Sequence, residues 1–77
     1  MRLKEVRDLV ERRPFEPFRV CVSDGSSYDV VDPELLWLTK NTLYFMRYEE
    51  PGDELPVTKR LVDTMHITRV EAIGRSE

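Results

Sequence analysis

Residues 18–30 alternate apolar and polar side chains on either side of Ser23, Asp24 and Gly25, and this pattern constrains the chain more than any other. It reads as a β-hairpin, the natural seed of a small antiparallel sheet or barrel. Parity decides its register. A two-residue loop of Asp24 and Gly25 would pair Val22 with Ser27 and Val20 with Asp29, mixing apolar and charged side chains on one face. A three-residue loop of Ser23, Asp24 and Gly25 pairs Val22 with Ser26, Val20 with Tyr28 and Phe18 with Val30, so the apolar partners share a face. A slip of one residue turns every side chain over. The odd loop is therefore predicted, with Gly25 in the left-handed conformation that a bulged turn requires.

Upstream, Leu3, Val6, Leu9 and Val10 recur at helical spacing with charges between them. An amphipathic helix of about three turns is predicted within residues 1–13. Asp8 and Arg12 stand at i, i+4 in the favourable order, and Arg12 and Arg13 suit a helix C-terminus. Pro14 ends the helix by pushing its predecessor out of the α region. Pro14 and Pro17 keep the following connector extended, which places Phe15 and Phe18 to fill the gap between helix and sheet.

Downstream, Asp32, Pro33 and Glu34 have the chemistry of a helix start: an oxygen to cap it, a preset first φ and an acid in the first turn. One helical turn is expected there. Residues 35–38 and 42–46 then form a second hairpin around Lys40 and Asn41, apolar on both faces. Leu36, Leu38, Leu43 and Phe45 fall on one side; Leu35, Trp37, Tyr44 and Met46 fall on the other. A sheet in a chain of 77 residues cannot easily cover both. Either the N-terminal helix shields one face, or a second subunit does. Leu35, Trp37, Tyr44, Met46 and the nearby Tyr48 are therefore the candidate interaction residues, although packing into the core is the better explanation of Trp37 and Phe45.

Residues 49–56 form an exposed acidic loop with Pro and Gly. From Val57 to Ile73 the chain is again strand-like, with Asp63 placed to cap a brief turn before Ile67, Val70 and Ile73. The chain is thus one domain: helix within 1–13, β-rich from 18 to 73, and a frayed tail at 74–77.

The residues offer little chemistry. Cys21 and His66 are the only thiol and the only imidazole. Cys21 lies mid-strand between valines, where a cysteine serves as a small hydrophobe. One cysteine supports no internal disulfide and fits a reducing, cytoplasmic setting. Asp24, Asp29 and Asp32 lack the spacing of a calcium loop, and three glycines are too few to cradle phosphates. No catalytic, metal or cofactor residues are assigned, and a non-enzymatic protein is expected. The start shows no apolar run of signal-peptide or membrane-span length. Net charge is −3, with residues 1–13 at +2 and the remainder at −5, a poor match for a phosphate backbone. Lys40, Arg47, Trp37, Tyr44 and Tyr48 could still form a nucleic-acid platform if they shared a face. Parity separates Arg47 from the two tyrosines.

Arg13 to Phe18 (Arg-Pro-Phe-Glu-Pro-Phe), Val22 to Gly25, Tyr28 to Val30, Pro33 to Leu35 and His66 to Glu71 together resemble a group of short, uncharacterised bacterial proteins. The resemblance spans nearly the whole chain and brings no activity with it. The order of a helix, about five strands and a short turn before the last strand is also similar to Sm-like and SH3-like small barrels. The acidic strand region departs from what RNA-binding Sm rings need. The expected protein is mainly β (α+β): an N-terminal helix on a bent antiparallel sheet or small barrel of about five strands. The expected role is an interaction module that self-associates or binds another protein, with an Sm-like nucleic-acid-binding barrel as the alternative.

Overall fold

The computed structural model describes residues 1–74; the expected frayed tail beyond Gly74 lies outside the described residues. Helix α1 (Leu3–Glu11) is followed by β1 (Phe18–Val22), β2 (Ser27–Val30), a one-turn 3-10 helix η1 (Pro33–Leu35), β3 (Leu36–Thr39), β4 (Thr42–Arg47), β5 (Val57–Asp63), a second 3-10 turn η2 (Thr64–His66) and β6 (Ile67–Ala72). The protein is mainly β, of α+β type. The strands form two antiparallel sheets of three, ordered β2-β1-β6 and β3-β4-β5. Among the described residues there are six strands, where about five were expected. The two sheets pack on each other and do not close into a barrel, since among the described residues no ladder joins a strand of one to a strand of the other.

The first hairpin has the odd register. Phe18 pairs with Val30 and Val20 with Tyr28, and the Val22 amide donates to the Ser26 carbonyl at 2.9 Å. Gly25 has φ +91°, the left-handed geometry expected of it. Both predicted caps also form. The Asp32 carboxylate accepts from the Glu34 amide at 2.9 Å, and Asp63 accepts from the Met65 amide at the same distance. Each stops one strand and aims the next.

Helix α1 is shorter than the three turns expected. It ends at Glu11, with Arg12 already extended at ψ 138°, so the basic pair lies beyond the last turn. The Asp8–Arg12 pair does not form; Lys4 binds Asp8 at 3.1 Å and Arg12 binds Glu16 at 2.9 Å. Arg13 still satisfies the helix end, its guanidinium donating to the Val10 carbonyl at 2.9 Å. The connector carries a cis Arg13–Pro14 bond and brings the Phe15 and Phe18 rings to 6.0 Å.

The core lies between the sheets and under the helix. Val6 from α1, Phe18, Val20 and Val22 from β1, and Leu36, Leu43, Phe45, Val62 and Ile67 are all buried in one cluster. The inner face of the second hairpin is therefore covered within the chain. Leu36 pairs with Phe45 and Leu38 with Leu43 on that face, as parity requires.

Candidate interaction surface

The outer faces of the two sheets differ in kind. On β2-β1-β6, Arg19 sits between Asp29 and Glu71 in register, and the row is charged throughout. Arg19 binds Asp29 at 2.7 Å and reaches Glu71 at 3.9 Å, while Arg69 binds Glu71 at 2.7 Å. The Arg19 guanidinium holds the Asp29 carboxyl below its ordinary value. This is a solvated face.

On β3-β4-β5 the equivalent row is Trp37, Tyr44 and Leu61. These residues alternate with the buried Leu36, Leu43 and Val62, so the pleat forces them outward. Trp37 is 45% exposed and Leu61 54%, with Tyr44 half-buried between them. Trp37 is thus not a core residue, contrary to the packing role expected of it; Phe45 is. The Trp37 indole Nε1 donates to the Glu34 carbonyl at 2.9 Å, which ties the ring back to η1.

The five candidate residues do not form one patch. Trp37 and Tyr44 share the outer row. Leu35 and Met46, which parity assigns to the same face, line a cleft between the sheets instead. The cause is η1, which folds over the end of β4 and buries Met46. Tyr48 lies past the end of β4, exposed at the start of the acidic loop. Leu61 joins the row without having been singled out from the sequence. Its parity within 57–63 was visible, but the loop between β4 and β5 leaves their register unset. A bulge on β5, where Phe45 faces Arg60 and Met46 faces Thr58, shifts the ladder further.

Between the sheets stands a polar bridge that sequence reasoning also missed. Arg60 on β5 lies over the Tyr28 ring, 5.4 Å from its centroid, and donates to the Tyr28 hydroxyl. Its other nitrogen donates to Asp24 at 3.0 Å. The Tyr28 ring in turn stacks on Phe45 at 4.8 Å. Asp24 accepts from the Ser26 hydroxyl and the Ser26 amide as well, and these bonds, with Arg60 after them, hold its carboxyl well below the usual carboxylate range.

Cys21 is buried in β1, whereas His66 is exposed on η2, and no hydrogen bond joins them. Among the described residues no group of three or more His, Cys, Asp or Glu side chains is placed to hold a metal ion. No helix among them is long and apolar enough to cross a membrane. Compared with models of known protein families, with curated proteins and with solved structures, the chain matches none.

Proposed function

We propose that this chain is a non-enzymatic interaction module that self-associates through the outer face of β3-β4-β5. One contrast carries the reading: the Asp29–Arg19–Glu71 row is charged, and the Trp37–Tyr44–Leu61 row of the same molecule is apolar and exposed. A face meant only for water would resemble the first. An apolar row with no charge at its centre is self-complementary across a two-fold axis, the commonest symmetry of small oligomers. The N-terminal helix and the 3-10 turn before the last strand are in keeping with the element order of Sm-like and SH3-like domains, although the two sheets here do not close into a barrel. The single free thiol, Cys21, supports a cytoplasmic setting.

Sedimentation velocity over a dilution series tests this. The wild type should pass from oligomer to monomer as it is diluted, and Leu61→Lys should be monomeric throughout. Trp37 is the sole tryptophan, so its emission should shift to the red as the oligomer dissociates. A wild type that is monomeric at every concentration, with unshifted emission, would remove the proposal. The alternative, a nucleic-acid-binding barrel, has exposed Trp37 and Tyr48 in its favour and the net charge of −3 against it. Saturable, salt-sensitive binding of single-stranded RNA would establish it instead.

A further inference from the structure

Strand β2 is an edge strand, with β1 on one side and, among the described residues, no strand on the other. The hairpin register settles which of its backbone groups are bare. Val22 bonds to Ser26 at the loop, so bonded pairs alternate from there along the ladder. Tyr28 and Val30 turn their amides and carbonyls toward β1. Ser27 and Asp29 turn theirs outward, and Val31, next in that order, has no backbone partner among the described residues. A row of unpaired N–H and C=O groups is a template for another strand.

This edge is one wall of a cleft of about 460 Å³ at the corner between the sheets. The floor is apolar, built from Leu35, Phe45 and Met46. Arg47 and Lys59 line it from the second sheet, both exposed and neither in an ion pair among the described residues. The other charges of the cleft are engaged: Arg19 with Asp29 at 2.7 Å, and Asp32 with the amide it caps.

We propose that the cleft binds an extended peptide of another protein, added as a fourth strand beside β2, with apolar and acidic side chains in alternation. Each part of the cleft selects one part of that ligand. The bare edge needs a backbone whose donors and acceptors alternate at strand spacing, which a peptide has and a nucleic-acid strand lacks. Successive side chains of a strand point to opposite faces, so one set meets the apolar floor and the other meets the solvent side. Arg47 and Lys59 line the same cleft from the second sheet, and carboxylates complement them. Strand addition of this kind draws affinity from the main chain and specificity from alternate side chains. The site is separate from the Trp37–Tyr44–Leu61 row, and neither proposal depends on the other.

The test is a fluorescence anisotropy titration with a fluorescein-labelled peptide of sequence Val-Glu-Val-Glu-Val. Saturable binding is expected, weakened tenfold or more when lysines replace the glutamates. N-methylation of one alternate set of amides should abolish binding, and methylation of the other set should leave it intact, because only one edge of the peptide faces β2. The double variant Arg47→Glu, Lys59→Glu, checked for wild-type circular dichroism, should lose tenfold or more toward the acidic peptide. No saturable binding at millimolar peptide, indifference to the sign of the peptide charge, or equal tolerance of both methylation patterns would each overturn the proposal. So would a single-stranded oligonucleotide that competes on equal terms. The peptide comparisons need only the wild-type protein, so they decide the matter even if the double variant fails to fold.

Discussion

Arg60 on β5 donates to Asp24 in the β1–β2 turn, Nη2 to Oδ2 at 3.0 Å, and so ties the two sheets together at their surface. Thirty-six residues separate the partners, and no ladder joins their strands. The same guanidinium covers Tyr28, whose ring stacks on the core residue Phe45. One side chain thus reaches a turn, a strand and, through the ring, the core.

Replacing Arg60 by Met should lower the urea midpoint, and Arg60→Lys should restore only part of the loss. Lysine keeps the charge but is a point donor, while the guanidinium fork serves two oxygens and one ring face. A midpoint unchanged in Arg60→Met would show that the bridge is ornamental.

Acid should weaken this bridge in a defined window. The folded-state pKa of Asp24 is depressed, chiefly by the Ser26 bonds and then by Arg60. Its stabilising contribution is fully present above the unfolded carboxylate value of about 3.9 and is lost as pH falls from there toward the depressed folded value. Urea midpoints of wild type and Asp24→Asn should therefore differ at pH 7 and converge below about pH 4. A gap that persists undiminished at pH 2 would assign the effect to something other than ionisation.

Gly25→Ala should destabilise by about 1–2 kcal/mol, the cost of holding a Cβ at positive φ. A Cβ there would meet nothing within 4 Å, so the penalty is purely one of backbone conformation. Gly25→Asn should cost less than Gly25→Ala, because asparagine tolerates the left-handed region. Thermal melts of the three proteins check the ranking.

Leu43→Ala should abolish the folded state. Leu43 is fully buried on the inner face of β4. Truncating such a leucine costs about 2–5 kcal/mol. A core in a chain of this size supplies no more than about 3–5 kcal/mol of net stability. The expected outcome is loss of near-ultraviolet dichroism at 25 °C, and a cooperative melt in this variant would show a sturdier core than its size implies.

What could be read from the residues followed locality. The register of the first hairpin was legible because three loop residues set the parity of Val22, Val20 and Phe18 against Ser26, Tyr28 and Val30. Asp32 and Asp63 were legible because a cap is decided within two or three residues. Sequence-distant relationships were not. The loop between β4 and β5 hides that Leu61 lies beside Tyr44, and nothing around Lys59 and Arg60 announces a bulge. Met46 follows the outer parity and is still buried, because η1 returns over it. Trp37 illustrates the converse: a large aromatic in a small protein suggests a core position, yet the pleat puts it outside. The Arg60–Asp24 bridge depends on how two sheets pack, which no window of sequence reports.

Strand β1 lies in the middle of its sheet, and its second neighbour is β6, the last strand of the described chain. During synthesis the opening hairpin leaves the ribosome early, with one flank still bare. Val20 and Val22 must wait until Ile67 and Val70 have been added before they are enclosed on both sides. The first sheet is accordingly completed only once β6 has been added, and a nascent copy stalled before residue 67 would present a sticky, half-built sheet to whatever chaperone is nearest.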